Sequence, residues 1–364
     1  MITNVLTSNI KLWLNKFVPL RRSQLLRRNC LILVIFASFL FISIFRTDSD
    51  SHPEPTLRNI STTQRKQIAR LIQRLDRVRQ CNINAAIVNR PIWSTFHEHI
   101  NQCTAKQFPK LDFIASNEKM YLKLNTSASL GRCVSVTLGI GDDTNTEHVL
   151  NQTYPQCEFF GADPIPDVSK GFLKYGRYFP IAIDANTWSG GVKLHVLVHG
   201  GGYRTNDSLQ TKDFNDFLRF DVRRPIIHFM SLDVEGSEYR LLPYMVHRAG
   251  IMARQRLAST ETFGTQIVEQ YNNYDKNTKI NQNNQTYRKY QHPIICQMMM
   301  ELHGPLEIYG QNETTVQDLI LAWIIHSDFV PLRAAPLYGH HRFLVVNAAN
   351  PVCFEVLQYP VVEN

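Results

Sequence analysis

The pattern of apolar and polar positions divides the chain into three parts. Cys30–Phe45 is a run of sixteen residues without a charge, slightly below the ~17–25 of an ordinary membrane-spanning helix, and a thin or untilted fit accommodates it. Residues 47–56 are polar and proline-bearing, a linker. Ser61 to Gln80 then places Ile68, Leu71, Ile72, Leu75 and Val78 at helical spacing among Arg, Lys and Gln, which predicts an amphipathic stem helix packing on the body or on a second copy of the chain.

From Arg132 onward short apolar runs alternate with helical ones. Strands are predicted at Cys133–Gly141, Cys157–Pro164, Arg177–Asp184, Val192–Val198, Ile226–Leu232 and Pro293–Gly304. Helices are predicted at Thr146–Tyr154, Val168–Tyr175, Leu209–Phe220 and Thr314–Ser327, with a closing antiparallel pair in FVPLRAAPLY and HRFLVVNA. Such alternation argues for a mostly parallel sheet covered by helices. Residues 270–292, rich in Asn, Tyr and Lys, form a polar insertion. The domains expected are a basic tail at 1–29, an anchor at 30–46, linker and stem at 47–110, and an α/β body at 111–364.

Charge changes the picture once it is located. The net charge is +8, from 39 basic and 31 acidic residues. Residues 1–46 hold seven Lys or Arg and no acid, which leaves 32 basic against 31 acidic residues, a balance of +1. The body therefore has no electrostatic footprint for nucleic acid. Arg21, Arg22, Arg27 and Arg28 before the apolar run keep that end cytosolic and put the body in the lumen. The leader is long for a cleaved signal peptide and no small-x-small site follows, so an uncleaved signal anchor of the ER or Golgi is expected. Six Asn-x-Ser/Thr sequons, at Asn59, Asn125, Asn151, Asn206, Asn284 and Asn312, agree with a luminal body. Beyond Cys30 six cysteines remain, without zinc-type spacing; disulfides are permitted, with connectivity open.

Candidate chemistry concentrates in IIHFMSLDVEGSEYRLL, residues 226–242. A buried strand is followed within six residues by Asp233, Glu235 and Glu238, at the strand end where open α/β sheets bind ligands. The strand of Pro293–Gly304 ends similarly, in Glu301 and His303. A glycine turn, TLGIGDD, puts Gly139 and Gly141 directly after a strand, where backbone N–H groups can face an anionic group. Asp163 ends the next strand, at the spacing that lets a carboxylate take both hydroxyls of a ribose. Asp184 ends the third and is a candidate for an adenine edge.

GIGDD, FFGADP, FPIAIDANTWSGG, SLDVEGSEYRLL and MELHG resemble the FkbM-type class I S-adenosylmethionine-dependent methyltransferases, and more closely their nematode-type membrane-anchored members. The resemblance runs from about Leu111 to the C-terminus, and LDVEGSE is its most specific motif. It implies a Rossmann-like fold with a seven-stranded, mostly parallel sheet whose last strand is antiparallel. It further implies S-adenosyl-L-methionine as cofactor and O-methylation of a hydroxyl on a glycan or small molecule. Gly139, Gly141, Asp163, Asp184 and Asp233 are then the cofactor-binding candidates, Asp233, Glu235 and His303 the catalytic ones, and Glu301 and Glu238 those facing the acceptor. Two positions depart from the family pattern: Thr137 stands where an acid is usual, and Asp143 where a third glycine is.

Methyl transfer to oxygen is an in-line displacement that gains most from alignment and further from a base. No metal is assigned, although Asp233, Glu235 and His303 could hold one. The rival readings are a luminal glycosyltransferase with Asp233-Val234-Glu235 clamping manganese, and an inactive binding protein on the same fold. HGGGY at His199–Tyr203 resembles a lipase oxyanion motif, but no GxSxG exists in the chain, so it is read as a glycine hairpin. His97-Glu98-His99 is read as a solvated segment.

Overall fold

The computed structural model describes residues 62–88, 93–116, 119–125, 133–198, 202–245, 293–304, 313–337 and 339–360. The expected anchor at 30–46, the linker and the polar insertion lie outside them. No helix among the described residues is long and apolar enough to cross a membrane.

Two helices lead in, α1 (Thr62–Val88) and α2 (Phe96–Gln107). Leu71, Leu75 and Val78 of α1 are buried in one hydrophobic core, and Phe96 and Ile100 of α2 in another. The stem helix thus packs on the body. A small hairpin follows, β1 (Phe113–Ala115) and β2 (Met120–Leu122), and then the main alternation: β3 (Val134–Leu138), α3 (Asn145–Thr153), β4 (Glu158–Ala162), α4 (Pro166–Ser169) and β5 (Arg177–Phe179). Next come β6 (Ala182–Asp184), β7 (Trp188–Val198), β8 (Gly202–Asp213), α5 (Phe214–Phe217), β9 (Ile226–Ile227), β10 (Phe229–Leu232) and α6 (Glu238–Leu241). The chain closes with β11 (Ile294–Ile295), β12 (Gln297–Leu302), α7 (Glu313–His326), β13 (Phe329–Leu337), β14 (His340–Asn347) and α8 (Pro351–Val356).

Seven strands form the central sheet in the order β13-β14-β12-β10-β3-β4-β5. β12, β10, β3, β4 and β5 pair in parallel, and β14 enters antiparallel to both β12 and β13. This is the mostly parallel sheet with a reversed last strand that the sequence led one to expect. From β3 the chain builds outward through β4 and β5, then crosses back to β10 and β12 on the other side. The β3/β10 boundary is therefore the topological switch point, where ligands bind outside the strand ends.

Central strands are covered on both faces, which explains their continuous apolar runs. All of Val134–Leu138 and Phe229–Leu232 are buried. Alternate residues go to opposite faces: Met298, Met300 and Leu302 of β12 join one core with α2 and α7, while Met299 joins the other with α1. Three disulfides, Cys81–Cys103, Cys133–Cys157 and Cys296–Cys353, use all six cysteines beyond Cys30.

Two sequence expectations require correction. The single strand at Arg177–Asp184 is two: Pro180, which lacks an N–H to continue the ladder, separates β5 from β6, and β6 pairs instead with β8 in a three-stranded sheet, order β6-β8-β7. The helix expected at Leu209–Phe220 starts only at Phe214. Leu209–Asp213 is strand, because Thr211 pairs with both Ala182 and Trp188. The Asp213 carboxylate then caps the helix by accepting from Asn215 N and Asp216 N at 2.9 and 3.0 Å. His199–Gly201 lie outside the described residues, but β7 and β8 on either side are the antiparallel arms of a hairpin.

Candidate functional site

The two motifs read from the sequence meet at the switch point. Leu138 and Leu232 are register partners, so the glycine turn and Asp233 leave the sheet side by side. Gly139 has φ +75° and donates its N–H to Ala162 O at 2.9 Å. A Cβ at this position would run into the Asp233 carbonyl oxygen. Glycine is thus demanded here by the neighbouring strand end as well as by the left-handed backbone. Gly141 is also left-handed, φ +64°.

Asp163 follows β4 and is 7% exposed. Its Oδ2 accepts from Ile140 N at 2.9 Å and Gly141 N at 3.1 Å, and its Oδ1 accepts from Ile165 N at 2.8 Å. A carboxylate offers about four acceptor positions, so three are occupied by main chain. Asp163 clamps the glycine turn, and a ribose would share what remains. Asp184 is buried, at the end of β6 rather than in the main sheet, and pairs with Arg240 Nε at 3.0 Å and Ala185 N at 2.8 Å. Burial raises its pKa against the pull of Arg240. That pair links β6 to α6 and occupies Oδ1 of the carboxylate read as a candidate for an adenine edge.

Asp233 is in a different environment. Its side chain is 23% exposed, with Lys119 Nζ at 3.9 Å and His303 Nε2 at 3.8 Å. Burial pushes its pKa up to about 7, against Lys119 and His303 and with Glu301 and Glu235 adding to the rise. A carboxyl whose proton affinity is raised in this way is suited to orient an acceptor hydroxyl or take its proton.

Glu235 has φ +56°, an uncommon conformation for a residue with a side chain, and Gly236 follows at φ +93°. The turn brings Glu235 Oε2 to 3.0 Å from His303 Nε2. Glu238 lies beneath that turn and is 0% exposed. Its Oε1 accepts from Val234 N at 2.7 Å and sits 3.1 Å from His303 Nδ1. It orients the turn and the imidazole, and in this structure offers no surface to an acceptor. His303 is held between these carboxylates. Burial opposes its protonation, but Glu238, Glu235 and Asp233 raise its pKa well above the ordinary histidine value. Its backbone carbonyl accepts from the Tyr239 hydroxyl, and its ring packs edge-on against His340 at 4.5 Å. Glu301 is buried and bonded to Arg342 Nε at 2.7 Å, its register partner on β14.

The structure thus brings Asp233, Glu235, Glu238, Glu301 and His303 into one cluster, next to Gly139 and apart from Asp184. Sequence reasoning missed Lys119 and Arg342, which pair with Asp233 and Glu301. Arg342 was recoverable in principle, because pairing the last strands places it opposite Glu301. Lys119 had no local signal. It arrives from the β1–β2 hairpin, fastened across the sheet by the Gln297 side chain to Leu122 N and O (2.8 and 3.0 Å) and by Tyr121 OH to Met230 O (3.1 Å). Also missed was Glu147, buried on α3, which accepts a 2.6 Å hydrogen bond from Thr137 Oγ1. A carboxylate therefore reaches the hydroxyl of Thr137.

No family model matches the chain, and no curated protein matches it. Among solved structures it is similar to the plantazolicin methyltransferase BpumL in complex with SAH, at 13% identity over 77% of this chain and 99% of that one. The TM-score is 0.21, too low to carry an argument about fold or site.

Proposed function

We propose that the chain is an S-adenosylmethionine-dependent methyltransferase that methylates a hydroxyl of a glycan or small molecule in the secretory pathway. The observation that carries this reading is the meeting of the glycine turn with Asp233 at the sheet's switch point, beside a cluster rich in carboxylates. The two left-handed glycines and the turn clamped by Asp163 form the nucleotide side of the site. Asp233 and its neighbours form the side toward the methionine moiety and acceptor.

The cofactor, when bound, supplies an electrophilic methyl group on a cationic sulfonium. Four carboxylates gather here, and among the described residues Lys119 pairs with Asp233 and Arg342 with Glu301, so the local field favours a positively charged group. Asp233 and Glu235 are the carboxylates with side-chain surface; Asp233 orients the acceptor hydroxyl and Glu235 takes its proton. His303, held by Glu238 and Glu235, is a positioning residue for both. Three disulfides agree with an oxidising compartment.

The test is calorimetry of S-adenosylmethionine with the full-length protein in detergent, followed by transfer of labelled methyl to glycan and small-molecule pools. One-to-one binding and label in a base-stable ether are expected. Binding of a nucleotide-sugar in place of S-adenosylmethionine would overturn the reading in favour of a glycosyltransferase.

A further inference from the structure

One ligand atom each from Asp233, Glu301 and His303 lies within 4.8 Å of the others, at the adjoining ends of β10 and β12. Three features set this triad apart from a solvated acidic patch. The first is the orientation of the imidazole. Glu238 holds Nδ1 at 3.1 Å, leaving Nε2 turned toward Glu235 at 3.0 Å and Asp233 at 3.8 Å. A buried carboxylate on the far nitrogen is the outer-shell arrangement that orients metal-binding histidines.

The second is charge. Asp233, Glu235, Glu238 and Glu301 gather around one imidazole, and among the described residues Lys119 pairs with Asp233 and Arg342 with Glu301. Carboxylates drawn together and largely removed from water are costly unless a cation answers them. A divalent ion does so. The third is the second oxygen of Glu238, in a residue 0% exposed, which has no hydrogen-bond partner among the described residues. The charge on that carboxylate is balanced chiefly through His303, and so through whatever His303 binds.

We propose that Asp233, Glu301 and His303 bind one divalent first-row metal ion. The mixed set of one imidazole nitrogen and two carboxylate oxygens suits Mn²⁺ better than Mg²⁺ or Ca²⁺, which take oxygen ligands. Metal binding does not depend on the methyl-transfer reading, but it deepens that reading. The ion would orient the acceptor oxygen and ease loss of its proton, which passes to Glu235. The oxygen's electron pair forms the new bond to the methyl carbon as the methyl–sulfur bond breaks. Sulfur keeps that bond's pair and leaves as the neutral thioether of S-adenosylhomocysteine.

The test uses full-length protein in detergent, stripped with chelator and titrated with Mn²⁺ alone. Pulsed electron paramagnetic resonance of the wild type should show one bound Mn²⁺ with nitrogen coupling from a single imidazole. Glu238→Gln should weaken Mn²⁺ binding by about 10–100-fold, the usual cost of losing an outer-shell partner. Asp233→Asn should weaken it further, with circular dichroism confirming that each variant is folded. Bound Mn²⁺ without nitrogen coupling, no Mn²⁺ binding, or affinity unchanged in folded Asp233→Asn would each overturn the proposal. S-adenosylmethionine binding measured on the same samples separates the two readings. Cofactor binding without the metal signal removes the metal site alone, and the metal signal without cofactor binding removes the methyltransferase alone.

Discussion

The two strands that flank β3 each lead into an aspartate, and the two aspartates meet different surroundings. Asp163, after β4, gives its oxygens to three backbone N–H groups of the glycine turn and the following loop. Asp233, after β10, faces the side chains of Lys119 and His303, with Glu301 and Glu235 close enough to raise its pKa. Main-chain donors cannot give up or accept a proton in use, so the first aspartate is a structural clamp. Side-chain neighbours can titrate and move, so the second is available for chemistry. Sequence position alone would rank them equally.

The comparison is broken most directly at Asp233. Asp233→Asn should keep the fold and lower methyl-transfer turnover by about 10²–10⁴-fold, the size of a general acid–base contribution. S-adenosylmethionine affinity should change much less; single-turnover transfer alongside calorimetry reads both, and a wild-type rate would remove Asp233 from the chemistry.

Gly139→Ala attacks the contact between the two strand ends. The added Cβ meets the Asp233 carbonyl at a left-handed backbone, so a stability loss of about 3 kcal/mol or more is expected. Urea denaturation measures it, and a variant as stable as wild type would show that the turn can move away from Asp233.

Asp163→Asn sharpens the contrast. Its amide would set an NH₂ against one of the N–H donors it now accepts from, at a stability cost of about 1–3 kcal/mol. A clamp loses stability first. Should the variant instead unfold like wild type but bind S-adenosylmethionine far more weakly, Asp163 serves the ribose and not the turn.

The smallest effect lies at the opposite end of β10. His228 Nδ1 accepts from Val134 N at 3.1 Å, and burial holds its pKa down to about 4. The unfolded chain takes up a proton near pH 6.5 while the folded chain does not until about 4. Stability from this group is therefore full above 6.5 and falls as pH drops through that window, by about 1.4 kcal/mol at pH 5.5. His228→Asn keeps an acceptor for Val134 and removes the titration. Comparing denaturation of the two proteins at pH 7.5 and 5.5 should show the smaller loss in the variant; equal losses would mean that His228 is already charged in the fold.

The sequence by itself determined the main strands of the central sheet, their covered character and the glycine turn with its following acids. These features are local: a strand buried on both faces must be apolar throughout, and a left-handed turn selects glycine. It also singled out Asp233, Glu235, Glu301 and His303, because carboxylates and histidine directly after apolar runs stand at strand ends. Only the tertiary structure decided which acid is held by main-chain donors and which faces other side chains. It moved Leu209–Asp213 from helix to strand through pairing with β6 and β7, and brought Arg342 opposite Glu301 through antiparallel register. It also carried Lys119 from a distant hairpin to Asp233. A carboxylate's role depends on what donates to it, and donors from other strands and loops leave no trace in the residues beside it in the chain.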